Sequence, residues 1–486
     1  MEILFLSTEL APFVKVGGLA DVVAALPKAL RALGHRVTIL LPRFPAFEQG
    51  LMFARRLTPL TFSLGDRTFE VTVFDGRLPS QIDIVLVDVP GLYDRPGVYG
   101  ERGEDYADNA LRFAVLSRAA AEIAAQRARS GVPFDIVHAH DWATGLVSAY
   151  LPELLPEGAK TRSVFTIHNV AHQGVFPKET VPQLGFDWGR FTVDGLEFYG
   201  KANLLKQAIL SADVVTTVSA TYAQELVTEG QGYQLEGVIR SRAPITGIVN
   251  GVDYAVWNPA TDTAIAARYD AEDASNRARC RGALLHELGF SVDTTGGIVA
   301  FVGRLVPQKG VDLLLEAIPR LLRATEAVVV IAGDGDDATA ARITQQAERS
   351  HGRVVFVRAA SEPLVHRIFA GADIVTVPSR YEPCGLVQLY AQRYGAVPVV
   401  RATGGLVDTV VDCDAALETG TGFVFEEPTG EALLGAIERA LAAREMEEWP
   451  RLVRRIMRLD RGWERPARRY EQVYRALSPA GAAGAT

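Results

Sequence analysis

"GIVAFVGRLVPQKGVDLLLEAIPRLLRA", residues 297–324, contains a strand-like run, a loop and a helix-like pattern in succession. The first part is continuously apolar, which is typical of a strand covered on both faces in a parallel sheet. The last part places apolar residues at the spacing of an amphipathic helix. The loop between them carries Arg304 and Lys309 and ends at Gly310. This stretch predicts one strand–helix unit of a doubly wound α/β domain.

The same design recurs along the chain. Before residue 250 the strand-like runs are EILFLS (2–7), RVTILLP (36–42), FEVTVFD (69–75), DIVLVD (83–88), DIVHAHD (135–141), SVFTIHN (163–169) and DVVTTVS (213–219). After residue 324 they are AVVVIAGDG (327–335), RVVFVRA (353–359), DIVTVPS (373–379), VPVVRA (397–402) and GFVFE (422–426). Two successive series predict an α/β fold with two doubly wound, Rossmann-like domains facing a central cleft.

Turn-forming residues mark the boundary between the two series. The segment 251–262 is rich in Gly, Asn, Pro and Asp, so we expect a hinge there. The expected domains are then 1–250 and 263–460, with a C-terminal helix over 461–477 that returns to the first domain. The tail, 478–486, is composed of small residues and is expected to be disordered.

Composition excludes several functional classes. The chain has 486 residues, too many for one core, and a net charge of −8. That charge argues against a nucleic-acid partner or an anionic membrane surface. Its three cysteines lie far apart, so neither a disulfide framework nor a zinc knuckle is indicated. The N-terminus lacks the basic region of a signal peptide, and the composition predicts a cytoplasmic protein.

The first strand is followed by the loop "STELAPFVKVGGLADV" (7–22). Gly17 and Gly18 allow close backbone approach, amides at a helix start bind anions, and Lys15 adds a charge suited to phosphate. Asp21 is expected either to reach a ligand or to favour the first turn of its helix. The loop matches neither a dinucleotide fingerprint nor a P-loop. Taken alone, it is equally consistent with a tight strand–helix turn and an exposed lysine.

Two segments of the second series carry comparable groups. Arg304 and Lys309 flank a helix start, an arrangement that suits a diphosphate and the charge growing on it as a leaving group. In "VPSRYEPCGLVQLYAQRYG" (377–395), Glu382 precedes a helix whose first turn is expected to contain Cys384, Gly385 and Leu386. The "RATGGLVDTV" loop (401–410) then offers the amides of Thr403, Gly404 and Gly405. Helix-start acids and buried cysteines are also common without function.

Asp141 and His168 each end an apolar strand of the first series. We expect His138 and His140 to point to opposite faces of their strand, which disfavours a shared metal. His168 and His172 lack a third ligand and an HExxH pattern, so no metal site and no cofactor is predicted. The acid pairs at 334–336 and 412–414 are expected to serve turns and helix caps instead.

Together these motifs resemble bacterial glycogen synthase and plant starch synthase, glycosyltransferase family 5 of the GT-B fold. "KVGGLADV", "HAHDW", "FTIHN", "GRLVPQKG", "PSRYEPCGLVQLYAQRYG" and "TGGLVDTV" occur in that family's order between residue 15 and about 411. "GLYDRPGVYG", "NLLKQAILSADVVTTVS" and "GIVNGVDYAVWNP" add further matches. The resemblance covers nearly the whole chain, and its Lys-x-Gly-Gly-Leu and Glu-Pro-Cys-Gly-Leu motifs are highly specific.

The resemblance implies retaining transfer of glucose from ADP-glucose to the non-reducing-end 4-hydroxyl of glycogen or another α-1,4-glucan, without a metal. By motif position, Lys15 and the Gly17–Gly18 amides would face the nucleotide sugar. Arg304 and Lys309 would hold the diphosphate, near the "TGGL" loop. The glucosyl group would be contacted by Asp141, His168, Asn250, Glu382 and the amides of Cys384 to Leu386.

Two positions depart from the family pattern. Ala143 replaces a second histidine often found after "HDW", so that position is not essential here. Ala360 falls where a tyrosine able to stack on adenine often sits, which leaves the choice between ADP- and UDP-glucose open; Tyr381 is a nearby substitute. Other readings are a GT-B enzyme with another donor or acceptor, a phosphorylase requiring a Schiff-base lysine, and a non-catalytic glucan-binding protein.

Overall fold

The structure is a computed structural model that describes residues 1–48, 51–101, 103–291 and 294–477. The predicted tail, 478–486, lies outside these residues. The chain divides into two units: the first is Met1–Gly251 with the described residues from Trp463 onward, and the second is Val252–Gly462. In the described ranges, no helix combines the length and the apolar character needed to cross a membrane.

The first unit is built on a ten-stranded sheet. Its strands are β1 (Glu2–Leu6), β2 (Arg36–Pro42), β3 (Phe53–Arg55), β4 (Leu60–Leu64), β5 (Arg67–Arg77), β6 (Asp83–Asp88), β9 (Ile136–His140), β10 (Arg162–Ile167), β14 (Val214–Thr217) and β15 (Thr246–Gly247); separate small sheets contain β7 (Gly100–Glu101), β8 (Glu104–Asp105), β11 (Val175–Pro177), β12 (Glu197–Phe198) and β13 (Lys201–Asn203). The large sheet runs in the order β15-β14-β10-β9-β1-β2-β6-β5-β3, with β4 paired to β5. It is parallel from β15 to β6, and β3, β4 and β5 are antiparallel.

Among the residues described before Val252, the first unit contains six α-helices: α1 (Gly18–Ala32), α2 (Asn109–Arg129), α3 (Val147–Leu154), α4 (Leu204–Ser211), α5 (Ala220–Glu225) and α6 (Glu236–Ser241). Helix α1 shows why they form. Its apolar residues, among them Leu19, Val23, Leu26 and Leu30, are buried on one side. Gly17 caps its start in an extended conformation, and Gly18 is its first residue.

The second unit contains one six-stranded parallel sheet. Its strands are β16 (Ile298–Val302), β17 (Val328–Gly333), β18 (Val354–Arg358), β19 (Ile374–Val377), β20 (Val397–Arg401) and β21 (Phe423–Phe425), and its helices are α7 (Arg277–Glu287), α8 (Val311–Ala324), α9 (Asp337–Arg349), α10 (Glu362–Gly371), α11 (Val387–Tyr394), α12 (Gly404–Thr409), α13 (Gly430–Arg444) and α14 (Trp449–Met457). The sheet runs β18-β17-β16-β19-β20-β21. Helix α8 covers it with Leu314, Ile318 and Leu321, all fully buried, while Glu316 and Arg320 are exposed.

Both sheets have the doubly wound strand order, which confirms the predicted fold class. In the second unit the order reverses between β16 and β19, and in the first between β1 and β9. Ligands of such sheets bind beyond the carboxyl ends of the strands at the point of reversal. The loops after β1, β9, β16 and β19 are therefore where functional side chains are expected.

The last described helix, α15 (Glu464–Leu477), belongs to the first unit and packs against α1. Its Tyr470 and Tyr474 are fully buried. The Tyr474 hydroxyl lies 2.8 Å from Nδ1 of His138 in β9. The helix thus completes the core on which the central strands of the first sheet rest.

Candidate active site

The loop after β1 is organised by Glu9, a residue that the sequence analysis did not single out. Its Oε2 accepts hydrogen bonds from the backbone N–H groups of Val16 and Gly17, both at 2.8 Å. Glu9 is only 4% exposed, so this carboxylate is an internal anion at the start of α1. The Gly17 amide, which we expected to face a ligand, is instead used within the protein.

Tyr99 connects this loop to the "GLYDRPGVYG" segment. Its hydroxyl lies 2.7 Å from Thr8 Oγ1 and donates to Glu9 Oε1 at 3.1 Å. Burial raises the pKa of Tyr99 well above its usual value, and the charge of Glu9 raises it further. The buried guanidinium of Arg112 donates to the carbonyl of Val98 at 2.9 Å, which fixes the backbone of this segment next to Tyr99. The two Tyr99 contacts join residues about ninety positions apart, which sequence spacing does not reveal.

Lys15 and Asp21 are brought together. The Lys15 ammonium lies 2.8 Å from Asp21 Oδ1, and both side chains keep some exposure, 35% and 20%. Asp21 occupies the first turn of α1, where an acidic side chain is favoured. It also restrains Lys15; that Asp21 reaches a ligand stays a prediction.

Asp141 and His168 lie beside each other at the ends of β9 and β10. Asp141 Oδ1 accepts the His168 backbone N–H at 2.7 Å and, more weakly, that of Asn169 at 3.4 Å. Asp141 has a φ of +58°, the left-handed region that Asp and Asn tolerate best among non-glycine residues. Burial raises its pKa to about 7, although the two amides oppose this effect. Asn250, the third glucosyl candidate of this unit, follows β15 and is 7% exposed.

The expectation for the two strand histidines was wrong. The rings of His138 and His140 lie on the same side of β9, with centroids 4.2 Å apart. Residues two apart along a strand share a face, so this is the ordinary geometry. His140 Nδ1 lies 3.0 Å from His168 Nε2, and burial lowers the pKa of His168 to about 3. The imidazole of His168 is therefore neutral at physiological pH.

In the second unit, the loop after β16 presents two cations in different states. Arg304 is exposed, and its side chain makes no hydrogen bond or ion pair with any residue that the structure describes. Lys309 ends a single 3₁₀ turn, Pro307–Lys309, and its Nζ lies 2.6 Å from Glu382 Oε2. Gly310 follows with a φ of +65°, and a Cβ there would lie 2.0 Å from the Pro378 carbonyl oxygen. The loops after β16 and β19 thus meet closely, as the glycine permits.

Glu382 is the centre of this second cluster. Its side chain is 7% exposed, and its Oε2 also accepts the Ser379 hydroxyl at 2.8 Å. Its carbonyl accepts the Gly405 N–H at 3.0 Å, which ties the "TGGL" loop to it. A buried carboxylate with these partners holds Lys309 in a fixed position.

The helix after Glu382 begins later than expected. Helix α11 starts at Val387, so Cys384, Gly385 and Leu386 precede it rather than forming its first turn. Gly385 has a φ of +74°, and the side-chain amide of Gln388 donates to the carbonyls of Cys384 and Gly385. Because Gly385 has a left-handed conformation, the chain turns there and α11 begins only at Val387. Thr403 caps the start of α12, and Gly404 is its first residue.

The acid pairs have structural partners, as expected. Asp336 caps α9 by accepting the Thr339 N–H at 2.7 Å, and Asp334 pairs with Arg358. Asp412 pairs with Arg439. Ala360 follows β18 at the same carboxyl edge as Arg304 and packs against the core of the second unit.

Each unit thus carries one cluster at the reversal point of its sheet. The first combines a buried acid, a neutral imidazole and a restrained lysine. The second combines an unpaired guanidinium, an ammonium held by a buried carboxylate, and a glycine-rich loop. Such groups can bind sugar hydroxyls and stabilise a departing anionic group. Glu9, Tyr99, His140 and Ser379 were not predicted as site residues, although Tyr99 and His140 lie in the "GLYDRPGVYG" and "HAHDW" motifs.

Comparisons with known proteins agree with this chemistry. A family model for the starch synthase catalytic domain matches residues 2–241, and one for glycosyl transferases group 1 matches residues 290–451. The chain is 43% identical to the glycogen synthase of Anaeromyxobacter sp. (strain Fw109-5), over 98% of this chain and 100% of that protein. It is 41% identical to the glycogen synthase of Koribacter versatilis (strain Ellin345), over 98% of both.

A solved structure is also similar. The catalytic domain of starch synthase IV from Arabidopsis thaliana, bound to ADP and acarbose, superposes with a TM-score of 0.89. It is 32% identical and covers 98% of this chain and 99% of that one. With full-length relatives above the 40% level and this fold in common, the chain belongs to the glycogen and starch synthase family of GT-B glucosyltransferases.

Proposed function

We propose that this enzyme transfers glucose from ADP-glucose to the non-reducing-end 4-hydroxyl of an α-1,4-glucan, with retention and release of ADP. Family membership supports the reaction class. The observation that carries the assignment of residues is the Lys309–Glu382 pair beside the unpartnered Arg304, at the reversal point of a nucleotide-binding type of sheet.

Arg304 and Lys309 act on the diphosphate. A guanidinium without a protein partner is available for two phosphate oxygens, and an ammonium fixed by a carboxylate is already oriented. Both charges are present before the reaction, so they stabilise the growing charge of the leaving group without reorganising. The "TGGL" loop, with Gly404 at the start of α12, lies near the same phosphates. The amides of Thr403 and Gly405 donate within the protein, to the carbonyls of Arg401 and Glu382.

In the first unit, Asp141, His168 and Asn250 are the residues assigned to the glucosyl group. In the second unit, Glu382 and the amides of Cys384, Gly385 and Leu386 are assigned to it. Lys15 and the Gly17–Gly18 segment face the nucleotide sugar, with Asp21 restraining the lysine. Glu9 shapes that segment from inside the protein.

Transfer proceeds on the front face of the sugar. The bond from the anomeric carbon to the phosphate oxygen breaks first, leaving an oxocarbenium-like sugar. The acceptor 4-hydroxyl then forms the new bond on the same face, and its proton passes to the departing phosphate oxygen. A double displacement needs a carboxylate behind the anomeric carbon, and we assign none to that position.

Kinetics of cation variants test the proposal. We expect Lys309→Ala to lower turnover by roughly 10²- to 10³-fold, because a preorganised stabiliser of the leaving group is lost. Arg304→Ala should have a similar effect. The control is Arg320→Ala, which removes an exposed cation of α8 from the same unit and should leave turnover unchanged. Near-normal turnover in Lys309→Ala would refute the assignment.

The donor is tested by competition. ADP-glucose and UDP-glucose are supplied together with glycogen, and release of each nucleotide is followed. We expect ADP release to dominate. If UDP release dominates, the enzyme is a glucosyltransferase with another donor, as the alanine at position 360 would then explain.

A further inference from the structure

His140 is a buried imidazole to which neither the motifs nor the proposed chemistry gives a role. It is fully buried in β9, and its backbone N–H donates to Thr144 Oγ1 at 2.7 Å. Its Nδ1 lies 3.0 Å from Nε2 of His168. Its own Nε2 is buried and has no hydrogen-bond partner among the residues that the structure describes. One ring nitrogen is therefore paired and the other is not.

The surroundings of this ring leave little choice of contacts. Phe5 lies against it at a centroid distance of 5.1 Å, and His138 at 4.2 Å. Both nitrogens of His138 are already engaged, one with Tyr474 and the other with Thr166. The His140 ring thus packs against two other rings, and its unpaired Nε2 is shielded from solvent.

Only one assignment of protons avoids burying an unpaired N–H. A neutral imidazole carries one donor and one acceptor nitrogen. Burial lowers the pKa of His140 and of His168, so both are neutral. If His168 donated to His140 Nδ1, the proton of His140 would sit on the enclosed Nε2. Orphaned N–H groups are rarer in proteins than acceptors left with a free lone pair.

The favoured arrangement therefore has His140 donating from Nδ1 to His168 Nε2. His168 must then carry its own proton on Nδ1. That nitrogen has no hydrogen-bond partner among the described residues, and His168 is partly exposed, so it can meet a ligand. A ligand would encounter an N–H donor at this position rather than a basic nitrogen.

We propose that His140 is a positioning residue that holds His168 in the Nδ1–H tautomer, so that His168 donates a hydrogen bond to an oxygen of the bound sugar nucleotide and does not act as a base. The direction of the His140–His168 bond follows from the 3.0 Å contact and from the burial of the two rings; only the identity of the ligand rests on the proposed function.

Nitrogen-15 NMR of the histidine-labelled protein tests the tautomer without substrate. A ring nitrogen that carries a proton and one that does not differ widely in chemical shift. His168→Gln removes the signals of His168 and so assigns them. We expect His168 to have a protonated Nδ1 and a bare Nε2. The opposite pattern in the unmodified protein would overturn the proposal, whatever the activity.

Two substitutions of His140 extend the test to turnover. His140→Leu removes the donor and should release His168 into a mixture of tautomers, with turnover lowered by at least about tenfold, as when a catalytic imidazole loses the group that fixes its tautomer. His140→Asn places an amide N–H near the Nδ1 position, so it should restore both the Nδ1–H tautomer of His168 and the turnover. The matched control is His351→Asn, an exposed histidine of the second unit, which should change neither.

The outcomes separate this proposal from the proposed function. If the NMR pattern is as expected but His168→Gln keeps full turnover, the tautomer assignment stands and the role of His168 in transfer fails. If His140→Leu does not fold, the spectrum of the unmodified protein still decides. A tautomer unchanged in His140→Leu would show that His140 does not set it.

Discussion

Replacing Asp141 by Asn should stabilise the protein at high pH while it impairs catalysis. The folded pKa of Asp141 is about 7, against 3.8 for a free side chain. Between these values the folded protein holds a proton that the unfolded chain has lost, so stability falls as pH rises through this range and is constant above it. Asparagine does not titrate, so the stability of Asp141→Asn does not fall in this way as pH rises.

The size of the effect follows from the shift in pKa. Each pH unit between 5 and 7 costs about 1.4 kcal/mol. The gap in unfolding free energy between Asp141→Asn and the unmodified protein should therefore widen by up to about 3 kcal/mol from pH 5 to pH 8. Some solvent contact at Asp141 makes this an upper bound. The backbone tolerates the change, since Asn also accepts a φ near +58° and its Oδ1 can still accept the His168 N–H.

Hydrogen exchange of the β9 amides, Ile136–His140, measures the pH dependence of stability next to Asp141. The free energy of opening is obtained at pH 5 and pH 8 for both proteins, after correction for the intrinsic exchange rate. Asp66→Asn, at an exposed turn, serves as the control and should give a gap that does not change with pH. A gap for Asp141→Asn that is equally independent of pH would refute the inference that a buried carboxyl with a raised pKa destabilises this unit.

Two further predictions concern the second unit. Gly310→Ala should lower both the thermal midpoint of the second unit and turnover, because the added Cβ would lie 2.0 Å from the Pro378 carbonyl oxygen. Gly289 also has a positive φ but lies in open space, so Gly289→Ala should lower the free energy of unfolding by only about 1 kcal/mol. Equal effects of the two substitutions in calorimetry would contradict this reasoning. Ala360→Tyr should tighten ADP binding by about 1–3 kcal/mol in titration calorimetry if the new ring stacks on adenine, and unchanged affinity would exclude that position as the base platform.

The sequence predicts the fold well because its signals are local. Most of the apolar runs, such as residues 298–302 or 374–377, became buried parallel strands, and the pattern at 311–324 became α8 with the same bounds. The run at 69–75 instead became part of β5, which is antiparallel to its neighbours. The antiparallel strands β3 and β4 were not anticipated. They are short, partly exposed strands at the sheet margin, where apolar continuity is lost.

The site was predicted less completely because its contacts are distant in sequence. Lys15, Arg304 and Lys309 were predicted as site residues because each follows a strand in a glycine-bearing loop. Glu9 and Tyr99 were not, because their bond joins positions that no local pattern relates. The prediction for His138 and His140 was wrong because residues two apart along a strand share a face. On that face His140 lies within 3.0 Å of His168.

The discontinuous first unit has a consequence for how the chain is made. Residues 464–477 are synthesised after every residue of the second unit, yet α15 supplies Tyr474, which contacts His138 beside the His140–His168 pair. The second unit is continuous, and its ends meet where the Val252 N–H donates to the Arg461 carbonyl. A ribosome-bound nascent chain can therefore finish the unit that carries Arg304 and Lys309 first. The histidine pair gains its full packing only once α15 has emerged, so the last part of the enzyme to mature is found near the start of its sequence.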